Sequence, residues 1–209
     1  MIMRNIIFIE AKNRNTPEYH FLRTIIELFF PQKEVEFICI NGIGNLFHET
    51  NINLMQQAQI TDNQILVLAD ADTESKKQGY EKRKNEIENG MAAHQLAFPF
   101  FIYPNNQDDG DVETLMESSA QRDLHKIFFD CFEDYERCVS GVKDDCGESK
   151  YRIPNLKGKL HTYMNAQKLP RRLSNRFGGG DWLFEDAQFW NLNTEALTPL
   201  KEFFATHLK

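Results

Sequence analysis

The sequence predicts an α/β protein: an open, mainly parallel sheet of about four strands with a helical C-terminal extension. Three observations predict it. Four short apolar runs, 5–9, 35–40, 64–69 and 98–103, are continuous rather than alternating, as in strands covered on both faces. Segments with helical spacing separate them, the order of successive βαβ units. After Tyr103 no strand signal of comparable strength appears. At 209 residues and 41% hydrophobic the chain suffices for one sizeable core. The change of texture puts the expected division at 1–105 for the α/β core and 106–209 for the helical extension.

Each element has its own signal. The isoleucine-rich run Asn5 to Ile9 reads as the first strand. Thr16-Pro17-Glu18 then starts a helix, with Thr16 as N-cap and Pro17 at the first helical position. Phe21, Leu22, Ile25, Ile26, Leu28 and Phe29 follow at helical spacing, and Pro31 stops it. Val35 to Ile40 is the second strand and ends in the turn Asn41-Gly42-Ile43-Gly44. A weak helix is expected over 53–59, the third strand over 64–69, a charged helix over 79–94 and the fourth strand over 98–103. The acidic turn 105–111 opens a helix through Val112, Leu115 and Met116. A longer helix is expected over 121–139 with Leu124, Ile127, Phe128 and Phe132 as its apolar stripe. Further helices are expected over 157–167 and 194–208, with a glycine turn at 178–180 between them and Trp182, Phe184, Phe189 and Trp190 docking the last helix.

Charge and cysteines narrow the function. The net charge of -7 gives no global basic field, so a phosphate-bearing partner needs a local basic patch or bridging metal ions. Four cysteines without C-x-x-C spacing and without a secretory signal point to a reduced, cytoplasmic protein lacking a zinc site. The start MIMRNIIFIE is too short to span a membrane. The pair Gly42 and Gly44 lacks a third glycine and follows the wrong strand for a dinucleotide fold.

The acids fall where ligands bind. In an open parallel sheet that place lies beyond the carboxyl ends of the strands. Glu10 ends the first strand, and ILVLADADTE carries Asp70, Asp72 and Glu74 past the end of the third. Strands about 4.8 Å apart would let these carboxylates converge, and alternation along an extended chain would turn Asp70 and Asp72 the same way. Such anions need a compensating positive charge, and Mg2+ suits hard oxygen ligands supplied partly by a phosphate. An acid after a strand also serves as a turn former or helix cap, which is the competing reading for Asp72.

A glutamate ending the first strand, the glycine turn INGIGN after the second and DADTE ending the third resemble the Toprim domain of topoisomerases, bacterial primases and OLD-type nucleases. The wording of IFIEAKN, VLADADTE and FPFFIYPNNQDDGDVETLMES is similar to that of an uncharacterised family of small bacterial Toprim-like proteins with an added helical part. The resemblance implies a Rossmann-like Toprim core. It implies Glu10 as general acid or base or as a second metal contact, Asp70 and Asp72 as ligands of Mg2+ (or Mn2+), and Glu74 assisting. The implied chemistry is phosphodiester transfer or hydrolysis on nucleic acid, with a nuclease as the leading expectation. No G-x-x-x-x-G-K-[ST] segment occurs, so an ATPase or another protein partner would be a separate chain. The alternative is a catalytically silent module that binds a metal, a nucleotide or a partner.

Two further clusters are candidates. After the fourth strand, Asp109, Asp111 and Glu113 either reach the same metal or cap the next helix and favour its first turn. Between Lys150 and Arg176 there is no acid, while Lys168, Arg171, Arg172 and Arg176, together with Lys12 beside Glu10, are candidate phosphate contacts for DNA or RNA. Tyr151, His161 and Tyr163 are candidate stacking rings there. The same stretch also fits a solvated face paired with the acidic segment before it.

Overall fold

A computed structural model of the chain describes residues 4–73 and 78–209. Four strands, β1 (Asn5–Ile9), β2 (Val35–Cys39), β3 (Gln64–Asp70) and β4 (Phe100–Tyr103), form one all-parallel sheet in the order β2-β1-β3-β4. The fold is therefore the α/β fold expected, an open parallel sheet continued by helices. The register pairs Phe8 with both Ile38 and Val67, which puts Glu10 and Asp70 at the same edge on neighbouring strands.

The covering helices explain why the strands are apolar throughout. Successive residues of a strand face opposite ways. Ile7, Ile9, Leu66, Leu68 and Phe101 pack into a cluster with α1 (Pro17–Phe29). Phe8, Ile65, Val67 and Ala69 pack on the other face against Met55 and Ala58 of α2 (Glu49–Ile60) and Ile87 of α3 (Tyr80–His94). The chain leaves β1 toward one face and β3 toward the other, so the crevice between these two strands is the switch point of the sheet.

The segment after β4 completes the first face. It contains α4 (Val112–Ser119), α5 (Lys126–Ser140), α6 (Leu156–Asn165), α7 (Arg171–Gly178) and α8 (Thr198–His207). Leu115, Met116, Phe129, Leu160, Tyr163, Phe203 and Phe204 join the α1 side of the core. Asn5, almost fully buried, ties the ends of this layer together by donating to the carbonyls of Glu34 and Lys209 and accepting from the Lys209 N–H. Among the described residues no helix is long and apolar enough to cross a membrane, and the four cysteines are free thiols.

Several elements differ from expectation for identifiable reasons. α5 begins only at Lys126, because Gln121 donates to the Phe189 carbonyl and holds the preceding residues in a turn. Its buried residues are Phe129 and Phe132, while Leu124 and Ile127 face solvent at 67% and 81% exposure. The last helix is split: a 3-10 turn at 195–197 gives way to α8, where Pro199 sits in the first turn, the place that tolerates its missing N–H. Trp182, Phe184 and Trp190 pack chiefly on α1 and α6, through Phe21–Phe184 at 5.0 Å and Tyr163–Trp190 at 5.8 Å. α8 brings its own rings, Phe203 against Phe101 and Phe204 against Phe30. α7 has only Phe177 buried, too thin a stripe to stand out in the sequence.

A candidate active site at the switch point of the sheet

Glu10 follows the last residue of β1 and spans the crevice. Its Oε1 accepts the Asp70 N–H at 2.8 Å and its Oε2 accepts the Ile43 N–H at 3.2 Å, so the glycine turn after β2 helps to fix this carboxylate. Asp70 closes β3, with Oδ1 accepting the Val112 N–H at 2.9 Å from the start of α4. The Glu10 carboxylate thus rests on the Asp70 backbone, while the Asp70 carboxylate turns to the start of α4.

Asp72 takes another direction. Its backbone has φ +59°, in the left-handed region open to Asp and Asn, so the alternation expected of an extended chain stops at Asp70. The turn is held by paired backbone hydrogen bonds with Gly110, at 2.7 and 3.0 Å. One Asp72 oxygen lies 3.4 Å from the guanidinium of Arg83. Glu74 lies outside the described residues.

Arg83 went unread in the sequence. It comes from α3, is 4% exposed, donates through Nε to the Asp70 carbonyl at 2.8 Å, and reaches Glu86 as well as Asp72. A buried guanidinium needs such a set of partners, and here it supplies the fixed positive charge among the acids.

Two further acids complete the cluster. Glu18, in the first turn of α1, has its Oε1 shut off from solvent without a hydrogen bond, and the hydroxyl of fully buried Tyr103 likewise has no partner among the described residues. Glu113, buried on α4, pairs with Lys157 of α6 at 3.0 Å. The second acidic run thus divides. Asp111 is the N-cap of α4, in a reciprocal pair with Thr114, and Asp109 accepts the Tyr80 N–H that opens α3. Only Glu113 turns into the cluster.

Burial and mutual repulsion set the charge of this group. Burial raises the Glu10 carboxyl against the Asp70 N–H and the charge of Arg83. Burial raises Asp70 well above the usual range, and Glu10, Glu18 and Glu113 push it further. Glu18 rises from its ordinary 4.5 to about 8, through burial and then the charges of Glu10 and Glu113. Burial alone would lower the Lys157 ammonium, but Glu113 raises it, and the balance is upward.

These shifts carry a sign. A carboxyl that holds its proton more tightly when folded stabilises the fold below its unfolded value, and that stability is lost as pH rises through the folded value. For Glu18 the window is pH 4.5 to about 8. At about 1.4 kcal/mol per pH unit the loss is on the order of 5 kcal/mol. The melting temperature in metal-free buffer is thus expected to fall across this window, and Glu18→Gln to flatten the fall. Calorimetric scans at unit pH intervals check this, and a flat or rising profile would refute the account of Glu18.

The basic segment is partly committed. Lys157 and Lys159 pair with Glu113 and Glu117 of α4, and Arg176 with Asp181 and Glu185. Lys12, Lys168, Arg171 and Arg172 are exposed and make no ion pair among the described residues. Tyr163 is buried with its hydroxyl on the Phe189 carbonyl, which removes it as a stacking ring; Tyr151 and His161 stay exposed.

An open parallel sheet with half-buried carboxylates at its switch point defines a class of α/β proteins with a strand-end acidic site. Within it, the chain belongs to the family described as Protein of unknown function (DUF3226), which matches residues 4–209. No curated protein and no solved structure matches the chain.

The fit of a metal can be tested on the donors. Among the described residues no three His, Cys, Asp or Glu side chains are set to hold an ion. Asp70, however, has one oxygen not used on Val112, in a cluster whose acids are raised by burial and then by mutual repulsion. That fits an ion which takes one or two carboxylates and completes its shell with water and phosphate oxygens, as Mg2+ does.

Proposed function

We propose that the crevice carries out Toprim-type, Mg2+-dependent phosphodiester chemistry on nucleic acid, as a nuclease. The observation that carries the proposal is the Glu10 carboxylate held on the Asp70 backbone across the switch point, in a cluster where Glu10, Glu18 and Glu113 all act on the Asp70 carboxyl. Asp70 is the main carboxylate for the ion, with Asp72 beside it. Mn2+ would serve in place of Mg2+. Bound there, the ion would neutralise phosphoryl oxygens and polarise a water.

The chain's own residues supply the rest. Glu10, oriented by two backbone N–H donors, is the acid or base that holds or passes the proton at the reacting oxygen. Arg83 holds the loop after β3 by gripping the Asp70 carbonyl and the Asp72 carboxylate. Lys12, at the mouth of the β1–α1 connection, is a phosphate contact.

One observation favours a second reading. Arg83 already compensates Asp72, and the Glu10 oxygens already accept backbone bonds, an arrangement that suits a silent binding module serving a partner protein. Incubation with single-stranded and duplex DNA and RNA, in Mg2+ or Mn2+ and in EDTA, separates the two. Metal-dependent cleavage is expected. Metal binding by calorimetry without cleavage would support the binding module, and neither binding nor cleavage would sink both.

A further inference from the structure

A cleft of about 460 Å3 opens beside the acid cluster, within the range of about 300–1,000 Å3 typical of small-molecule sites. α6 turns Lys157, Gly158 and His161 toward it, while Leu160, Tyr163 and Met164 of the same helix face the core. The exposed His161 ring rests against the buried rings of Phe177 and Trp182, whose centroids lie 5.1 and 6.2 Å from its own. Asn15 and Pro17 of the β1–α1 connection close the third side.

The third wall depends on one glycine. Gly180 has φ +85°, and a Cβ on it would stand 2.5 Å from the Asn15 carbonyl oxygen. Only a residue without a side chain lets the 178–180 turn meet the β1–α1 connection this closely.

Lys157 joins the cleft to the crevice. It lines the cleft and pairs with buried Glu113, and an ammonium has three donors, of which that pair uses one. The charge around the cleft differs from that of the chain as a whole. The stretch 150–176, which supplies most of the α6 and α7 walls, has no acid in a protein of net charge -7, and Arg171 and Arg172 on α7 pair with no carboxylate among the described residues. An exposed aromatic ring, an ammonium with donors to spare and an acid-free stretch of chain next to the proposed phosphodiester site match an unpaired nucleotide, whose base stacks while its phosphate meets a cation.

We propose that this cleft receives an unpaired nucleobase, stacked on the exposed ring of His161, which the buried rings of Phe177 and Trp182 back, with the adjoining phosphate at Lys157 and directed toward the Asp70 crevice. The inference rests on the proposed function for the direction of the strand. It adds that the substrate is single-stranded at the site.

The test is binding in EDTA, where metal-dependent cleavage cannot occur. A fluorescein-labelled ten-residue oligothymidylate and thymidine 5′-monophosphate are titrated into the full chain, followed by anisotropy and by tryptophan emission. His161→Ala is expected to weaken the oligonucleotide roughly 5- to 100-fold, the range of one base–aromatic stack, with His161→Phe restoring most of it. Quenching of tryptophan emission in the wild-type protein, lost in His161→Ala, supports the same site. Tighter binding of the oligonucleotide than of the monophosphate identifies a strand as the source, and equal binding identifies a free nucleotide. Equal affinity of wild type and His161→Ala for both probes overturns the proposal. Binding that depends on His161 without cleavage in Mg2+ would leave the cleft standing and remove the nuclease.

Discussion

Asp70→Asn is expected to abolish divalent-ion binding and any hydrolysis while leaving the fold at least as stable as before. The amide keeps an oxygen for the Val112 N–H, so the bond that joins β3 to α4 survives. The charge is what disappears, and with it the repulsion from Glu10, Glu18 and Glu113. Loss of a group that merely supports a ligand costs roughly 10- to 100-fold in metal affinity, so loss of the main carboxylate should exceed that. Mn2+ calorimetry and a thermal scan in EDTA give the two readouts. Metal binding that survives the change, or a melting temperature several degrees lower, would show that Asp70 is a structural cap.

Arg83→Met is expected to be the most destabilising single change in the crevice, by about 1–3 kcal/mol at pH 7, because the Asp70 carbonyl and the partly exposed Asp72 and Glu86 carboxylates lose the donors of one buried guanidinium. Asp72, Glu86 and the Asp70 carbonyl all lose donors at once. Arg83→Lys should recover only part, since one ammonium cannot reproduce the fork that serves all three. Urea unfolding at pH 7 and pH 5 checks the cause as well as the size. Removing Arg83 takes away a charge that lowers Glu10, so protonation at pH 5 should shrink the loss. An equal loss at both pH values would point to packing instead.

Glu10 and Asp70 stood out because two separate strands, each covered on both faces, end in a carboxylate. Their meeting required strand order, which no single strand reveals. Arg83 was not legible: it sits among Glu81, Lys82, Lys84 and Glu86 on a helix with a thin apolar side, and only tertiary packing distinguishes one cation from its neighbours. Glu18 follows Pro17 at a helix start, where an acid is ordinary, so the burial of its Oε1 had no local sign. In DADTE the pattern imitates a continuing strand, but Asp72 tolerates a left-handed backbone and the chain turns there. The basic stretch after Lys150 was visible as composition. Which of its cations would be consumed by α4 and which left exposed depended on helices that pack only in three dimensions.

The pairing of Asn5 with Gln64 also bears on how the molecule reaches this arrangement. Glu10 and Asp70 are sixty residues apart, and they come within reach only after that length of chain has closed into a loop and the central strand pair has zipped. The search for the native topology can thus proceed while these two carboxylates are still apart and hydrated. Their repulsion weighs on the finished sheet, at the point where its most buried strands are already paired, rather than on the route by which the chain finds it.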